Sequence, residues 1–429
     1  MIASASTTNL VKNTTHKAVL PFYVYAALSF LAATVLLLFS TNAFTQHYFH
    51  PHTLAITHTM ALGWGTMIIL GASHQLVPVL IEARLFSNFL AYVSFVLAAV
   101  GIPLLVYSFF KFQFNWTALT GAILINAAIV CYLVNLAFSI AKAKTENVHA
   151  IYVFTAAAWL LVTTVIGLLL VYNFRESILP ADSLHYLSLH AHIGIVGWFL
   201  LLVIGVGSRL IPMFLISKYD APKKLWLIYF LINAGLVGFI ITFFFFSSAT
   251  LYLLPVVTVL LALVLFGRFC QNAYRQRIRR QVDEQMKISL LSVAMMVLPL
   301  VVLIALVILL LVSATNAKLV LAYGFSIFFG WITAIVLGMT FKTLPFIVWN
   351  KLYHDKAGLG KTPNPKDLFS ATVFNSMGVA YLFGFVFFAV GILLASTLVL
   401  QAATILLLAT AILYNWNVLK MLLHKPLIK

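Results

Sequence analysis

The chain has 429 residues, of which 63% are apolar and only 8% are charged, whereas a soluble domain carries about 25% charged residues. A mean hydropathy of +1.07 excludes a soluble enzyme, a disordered protein and a nucleic-acid-binding domain. The two cysteines, Cys131 and Cys270, provide neither a disulfide framework nor a CxxC metal motif. The composition therefore predicts an integral membrane protein, with the lipid bilayer as its surroundings.

Apolar runs long enough to cross a bilayer recur along the whole chain, since about 20 helical residues span the hydrocarbon core. We predict an all-α integral membrane protein with 12 transmembrane helices in a single membrane domain. No linker is long enough to hold a separate soluble domain. In chain order the predicted spans cover residues 19–40, 53–80, 87–109, 117–140, 150–171, 185–216, 225–247, 250–268, 288–313, 319–348, 369–395 and 399–420.

The net charge of +17 is explained by the concentration of basic residues on one side of the predicted membrane topology. With a cytoplasmic N-terminus, 21 of the 26 Lys and Arg residues fall on the cytoplasmic side and only 3 fall in outer loops. This asymmetry obeys the positive-inside rule. It predicts a multi-pass protein of the bacterial inner membrane with both termini in the cytoplasm, and it removes the basic charge as an argument for a nucleic-acid partner.

The second, sixth and tenth predicted helices share one pattern of Gly, Trp and Pro, with the same spacing in each. The members are Gly63, Trp64, Gly71 and Pro78; Gly197, Trp198, Gly205 and Pro212; and Gly330, Trp331, Gly338 and Pro345. The pattern recurs every four spans and predicts three four-helix units related by a pseudo-threefold axis, approximately 19–140, 150–268 and 288–420. Glycines seven residues apart in a helix permit close helix contact.

Histidines stand at fixed distances before two of these tryptophans, in the outer third of the membrane. His58 and His192 both lie six residues before the Trp, and His190 lies eight before it. Two imidazoles from different helices at one depth can supply both axial nitrogens of a haem iron; the alternative is interhelical hydrogen bonding by neutral imidazoles. The rings of His190 and His192 project about 200° apart, and the sequence leaves open which of them pairs with His58.

The other histidines have a weaker link to metal chemistry. His74 lies about 24 Å further along its helix than His58, so the two cannot share a metal; we interpret His74 as a polar residue near the inner interface, with a separate metal role as the alternative. His47, His50 and His52 precede the second span, where a solvated loop is favoured over loose binding of copper or zinc.

Charged side chains are almost absent from the predicted spans. No carboxylate lies in mid-membrane, which disfavours coupled proton pumping. Arg209 and Lys342 occupy the same repeat position toward the inner side. We expect both to extend to lipid phosphates at the interface.

The span count, the predicted units and the histidines on helices two and six resemble the subunit I superfamily of haem–copper oxidases and nitric-oxide reductases. The segment from His58 to Pro78, ending Gly-Ala-Ser-His-Gln-Leu-Val-Pro, resembles that family's second helix. There a single His ligates the low-spin haem, and the resemblance gives this role to His58. The sequence His190-Ala-His192 resembles the His-x-His pair that holds two haems, although in the family that pair lies on the tenth helix.

Several family ligands are missing from this chain. The tenth span carries Tyr323 and Phe325 where His-x-His is expected, and the seventh span has no His. A copper centre beside a reactive haem needs three imidazoles, so the standard centre for oxygen or NO reduction is not expected, and no catalytic residue is assigned. The degenerate NnrS-like branch, twelve-span haem and copper proteins connected with nitrosative stress, is a nearer resemblance.

We therefore expect a membrane haem protein with copper as a second candidate metal. Its role would be electron transfer, redox sensing or an NO-related function, with an electron-donor protein or a quinol as partner. One alternative is a transporter for a metal or small solute, with the histidines as a relay. Another is a non-catalytic subunit of a respiratory complex, which would carry no cofactor.

Overall fold

The structure, a computed structural model, describes residues 15–426 except 82, 144–146, 247, 279–280, 313, 315 and 355–361. It confirms an all-helical protein with twelve helices long and apolar enough to cross a membrane. In chain order, α1 to α12 are His16–Phe39, Pro51–Leu80, Asn88–Lys111, Trp116–Ile140, Val148–Asn173, Leu187–Leu215, Pro222–Phe245, Ala249–Arg275, Glu284–Leu311, Ala317–Tyr353, Ala371–Leu394 and Thr397–Leu422. The two chain ends, whose predicted side is cytoplasmic, lie outside the described residues.

Polar side chains cap the starts of many of these helices. Asn115, Asn147 and Asn316 each accept a hydrogen bond from a backbone N–H in the first turn of the following helix. Such caps are favourable because the first N–H groups of a helix have no partner within the helix. The short polar stretches between apolar runs therefore fix the helix boundaries.

Helices α2, α6 and α10 form the centre of the bundle. In their most apolar 18-residue windows, 72%, 61% and 67% of the residues are buried, whereas none of the other nine helices exceeds 44%. The outer helices leave large apolar side chains exposed, as is required of surfaces that face lipid. The three helices that carry the repeated Gly, Trp and Pro pattern are thus the three that build the core.

The repeated glycines make the closest contacts of these central helices. An added Cβ at Gly71 would lie 2.6 Å from Phe22 of α1, and one at Gly205 would lie 2.3 Å from Tyr152 of α5. The third member, Gly338, packs in the same way against Ser289 of α9. Only a residue without a side chain lets the helix axes approach this closely.

The tryptophans tie the central helices to one another. Trp198 Nε1 donates to Thr66 Oγ1 and Trp64 Nε1 donates to Thr333 Oγ1, both at 3.1 Å. Each bond runs from a repeat tryptophan to a threonine two residues beyond the tryptophan of another central helix. The grouping of the twelve helices into three units stays a prediction, and these bonds are compatible with it.

One charged residue differs from expectation. Lys342 does not extend to the interface but is 9% exposed and forms an ion pair with Asp283, the residue that caps α9. A carboxylate within reach removes the need for the ammonium group to find a lipid phosphate. Arg209, at the equivalent position of α6, is exposed.

Candidate functional site

His58 ends the first α-helical segment of α2, Pro51–His58. Its Nδ1 lies 2.8 Å from the backbone carbonyl of Leu54, and its ring packs against Phe109 of α3 with centroids 4.4 Å apart. A carbonyl oxygen can only accept a hydrogen bond, so Nδ1 carries the proton. The neutral imidazole therefore keeps its lone pair on Nε2, the atom available to a metal.

His192 has the same local geometry on α6. Its Nδ1 lies 2.7 Å from the carbonyl of Ser188, four residues earlier. The ring lies beside Phe239 of α7 and Tyr323 of α10, with centroid separations of 5.1 and 5.8 Å. Its Nε2 is also left with a lone pair, but the ring faces a different groove from that of His58.

His190 is the histidine of α6 that faces His58. The two ring centroids are 6.3 Å apart and the ring planes differ by 17°. The ring of His190 also contacts Gly167 of α5, where an added Cβ would lie 3.0 Å from Cε1. The near-opposite directions of positions 190 and 192 on one helix explain why only one of them can face α2.

The hydrogen bonding of His190 is incomplete. Its Nδ1 is buried without a hydrogen-bond partner among the described residues. Buried polar atoms are nearly always satisfied, so a bare ring nitrogen points to an additional ligand at this position. The site thus offers two imidazole nitrogens with free lone pairs, one from α2 and one from α6.

The spacing of the two rings fits a shared metal ion. An ion bound about 2 Å from one nitrogen of each imidazole places the ring centroids about 6 Å apart. The observed 6.3 Å between His58 and His190 agrees with this distance. Within the described residues, the two rings form no direct hydrogen bond with each other.

The corresponding positions of α10 hold no imidazole. Phe325 is 3% exposed and stacks on Phe388 at 4.4 Å and on Phe385 at 5.5 Å. Aromatic packing therefore fills the place that His58 and His192 occupy on the other two central helices.

The remaining histidines do not join the pair. His74 is buried further along α2, with its ring beside those of Phe22 and Tyr132, both at 5.4 Å. In the segment before α2, Nδ1 of His50 accepts a hydrogen bond from the backbone N–H of His52, so its lone pair is already used. Within the described parts of the chain, no three His, Cys, Asp or Glu side chains are grouped to hold a metal ion.

A feature that the sequence patterns did not predict lies directly after the histidine positions. Each central helix contains a π-helical segment, namely Thr59–Thr66, Ile193–Leu200 and Ser326–Ile332. These segments begin one residue after His58, His192 and Phe325. Wider π turns are frequent at functional sites, and here they change the direction of the helix face just below the imidazoles. The glycines of these segments, two in each of the first two and Gly330 in the third, are the signal that could have indicated them.

Phe109 and Gly167 were also missed by sequence reasoning. Phe109 contacts His58, whereas the residue of α5 that contacts His190 is Gly167, and nothing in the local sequence marks Phe109 or Gly167 for this role. No known family model matches the chain, and no curated protein is detectably similar to it in sequence.

Proposed function

We propose that the protein is a membrane haem protein in which His58 and His190 are the two axial ligands of one haem iron near the outer face. The observation that carries the proposal is the pair of nearly parallel imidazoles from two helices, 6.3 Å apart between centroids. The unpartnered Nδ1 of His190 supports a ligand at this position. The family resemblance of the segment that starts at His58 favours the same cofactor.

A haem suits this donor set better than a bare metal ion. Zinc sites use four protein ligands, or three when a catalytic position is open, and Cu(II) prefers a square-planar set. The described residues offer two imidazoles at this place and no third ligand. A porphyrin itself supplies four nitrogens, so the protein needs to supply only the two axial ones.

The surroundings of the pair are compatible with a large planar ligand. Ala61 and Leu62 on α2 and Gly194 on α6 keep partial exposure although they belong to the most buried helices of the bundle. Ala61 and Gly194 add little side-chain bulk beside the two histidines, and the Gly194 backbone packs against Thr163 of α5.

The protein's own groups would set the properties of the site. The Leu54 carbonyl fixes the tautomer and orientation of His58 and increases the basicity of its Nε2. Phe109 covers one side of that ring and limits access of water. When bound, the haem would supply one-electron redox chemistry, with binding of NO where one axial imidazole is labile. An electron-donor protein or a quinol remains the proposed partner.

Absorption spectra of the purified protein test the proposal. From haem-sufficient cells, we expect a reduced-minus-oxidised spectrum with sharp α bands, and we expect His58→Ala and His190→Ala each to abolish the six-coordinate form. His192→Ala and His74→Ala are matched controls that should keep it. Loss of the bands in His192→Ala with retention in His190→Ala would assign the axial ligands to His58 and His192 instead. A colourless preparation would refute the presence of haem.

Metal analysis of the same sample tests the second candidate metal. Two imidazoles at this spacing could also hold Cu(I) in a linear arrangement, which is the chemistry that the transporter alternative requires. We expect iron in proportion to protein and copper only in trace amounts. Copper in proportion to protein without iron would favour that alternative. The absence of both metals would favour a non-catalytic subunit.

A further inference from the structure

A funnel-shaped cavity of about 530 Å³ lies between α2, α6 and α10, on the half of the protein predicted to face the cytoplasm. It is separate from the proposed haem site. The residues that line it lie at the same distances from the repeat tryptophan in all three helices. Eight residues after each repeat tryptophan the lining residues are Ala72, Val206 and Met339, and fifteen residues after it they are Val79, Met213 and Phe346.

The funnel is closed toward the membrane centre. Phe199 and Ile332, one residue after their tryptophans, line its outer end. The Phe199 ring packs so closely on Gly65 that an added Cβ there would lie 2.8 Å from it. The hydrogen bonds of Trp64 and Trp198 hold the helices together at this level. The cavity is therefore a blind pocket and gives no support to a transport path along the axis.

The funnel is open at the other end. Val79, Met213 and Phe346 at its mouth are 57%, 49% and 52% exposed. From the positions four residues after each tryptophan to this mouth, the helices rise about 16 Å. The volume lies within the range of about 300–1,000 Å³ that is usual for small-molecule sites.

The wall is apolar and almost without net charge. Its one cationic side chain, Lys342, is paired with Asp283. Two of its polar groups satisfy each other, since the hydroxyls of Tyr23 and Thr343 form a hydrogen bond of 3.1 Å. Gln75 and Asn350 add polar groups to the wall and keep access to solvent, so an alkyl chain in this space contacts mainly apolar side chains.

Basic residues follow the mouth in sequence, within α10 and just beyond the ends of α2 and α6. Twenty residues after each tryptophan stand Arg84, Lys218 and Lys351, all exposed. Among the described residues, none of them pairs with a carboxylate. Asp220 is the nearest acid in sequence to Lys218 and is itself exposed. Three exposed cations that follow an apolar mouth in sequence, and that pair with no carboxylate among the described residues, are complementary to an anionic headgroup.

We infer that the funnel binds an anionic amphiphile, with its acyl chain between α2, α6 and α10 and its carboxylate or phosphate among the three basic residues. The ligand could be a free fatty acid or an anionic phospholipid of the inner leaflet. Both share the same chemistry, a long apolar chain with a negative head. The inference rests on the cavity and the basic residues, and does not depend on the haem.

Photolabelling of the full-length protein in neutral lipid nanodiscs tests this inference. The probes are a photoreactive palmitic acid, a photoreactive phosphatidylglycerol and, as neutral control, the photoreactive palmityl alcohol, with labelled residues mapped by mass spectrometry. We expect at least one anionic probe to label the funnel walls well above the alcohol. Labelling by the acid alone would identify a free fatty acid, and labelling by the lipid alone would identify a phospholipid.

Two sets of variants separate the tail from the headgroup. Val206→Phe fills the funnel and should abolish labelling, whereas Val130→Phe, the same change on a lipid-facing surface of α4, should leave it unchanged. Ala72→Phe is a second filling variant in case Val206→Phe folds poorly. Because each basic residue contributes a factor of about five, replacing Arg84, Lys218 and Lys351 by Gln should weaken anionic binding about 100-fold.

Three results would overturn the inference. They are equal labelling by the alcohol and the anionic probes, labels that map outside the funnel, and labelling that persists in both filling variants. A protein without haem that still shows the expected pattern would refute only the proposed function.

Discussion

Replacing Gly205 by Ala tests the packing between α5 and α6. The added Cβ would lie 2.3 Å from Cβ of Tyr152 and 2.8 Å from its Cγ, so one of the two helices must move. Tyr152 is fully buried, and its hydroxyl donates to the Leu225 carbonyl at 2.6 Å. Overpacking costs about 1–3 kcal/mol, and loss of this hydrogen bond adds about 1 kcal/mol. Subtracting about 1 kcal/mol for the better helix propensity of Ala leaves a net loss of about 1–3 kcal/mol.

Gly207, two residues further along the same helix, provides the matched control. An added Cβ there would lie 3.5 Å from the Phe266 ring, an ordinary contact distance. Gly207→Ala should therefore be neutral or stabilising by up to about 1 kcal/mol. Unfolding in mixed detergent–SDS micelles, followed by helical circular dichroism, measures both variants. Equal effects of the two substitutions, or a stable Gly205→Ala protein, would contradict the reasoning from close packing.

Three further outcomes are expected. Thr333→Val removes the acceptor of the Trp64 indole N–H and should lower the free energy of unfolding by about 1 kcal/mol, measured by SDS titration, whereas an unchanged midpoint would mean that the hydrogen bond contributes nothing. Asp283→Asn should destabilise the protein more than Lys342→Met, because the first change leaves a buried ammonium without its carboxylate, and equal midpoints would contradict this. Burial and the neighbouring imidazole of His52 lower the pKa of His50 in the folded protein. The contribution of neutral His50 to folding stability is therefore complete above the unfolded-state pKa of about 6.5 and is lost as pH falls toward the folded-state pKa. Below that pH, amide exchange at the start of α2 should quicken, since protonation removes the capping acceptor, and His50→Asn should suppress this pH dependence.

The membrane architecture could be predicted from local sequence. A bilayer requires about 20 consecutive apolar residues per helix, and this constraint is written residue by residue along the chain. The structure places helices over all twelve predicted spans, with ends that differ by up to seven residues, and caps such as Asn147 set where helices begin. The fixed spacing of Gly71 and Gly205 from their tryptophans likewise marked the residues that lie against Phe22 and Tyr152.

The site could be predicted only in part. The depth of His58, His190 and His192 follows from their positions within the spans, but a pairing between helices depends on which faces meet. The sequence left both partners open, and the structure brings His190 rather than His192 beside His58.

The sequence by itself therefore determined the spans, the repeated Gly, Trp and Pro positions and the location of the histidines along their helices. Only the tertiary structure decided the His58–His190 contact, the π-helical segments, the Lys342–Asp283 pair and the blind funnel. The physical reason is the range of the interactions. Burial in lipid and helix capping act within one segment, whereas ring pairing, ion pairing and cavity shape depend on the rotation and approach of separate helices.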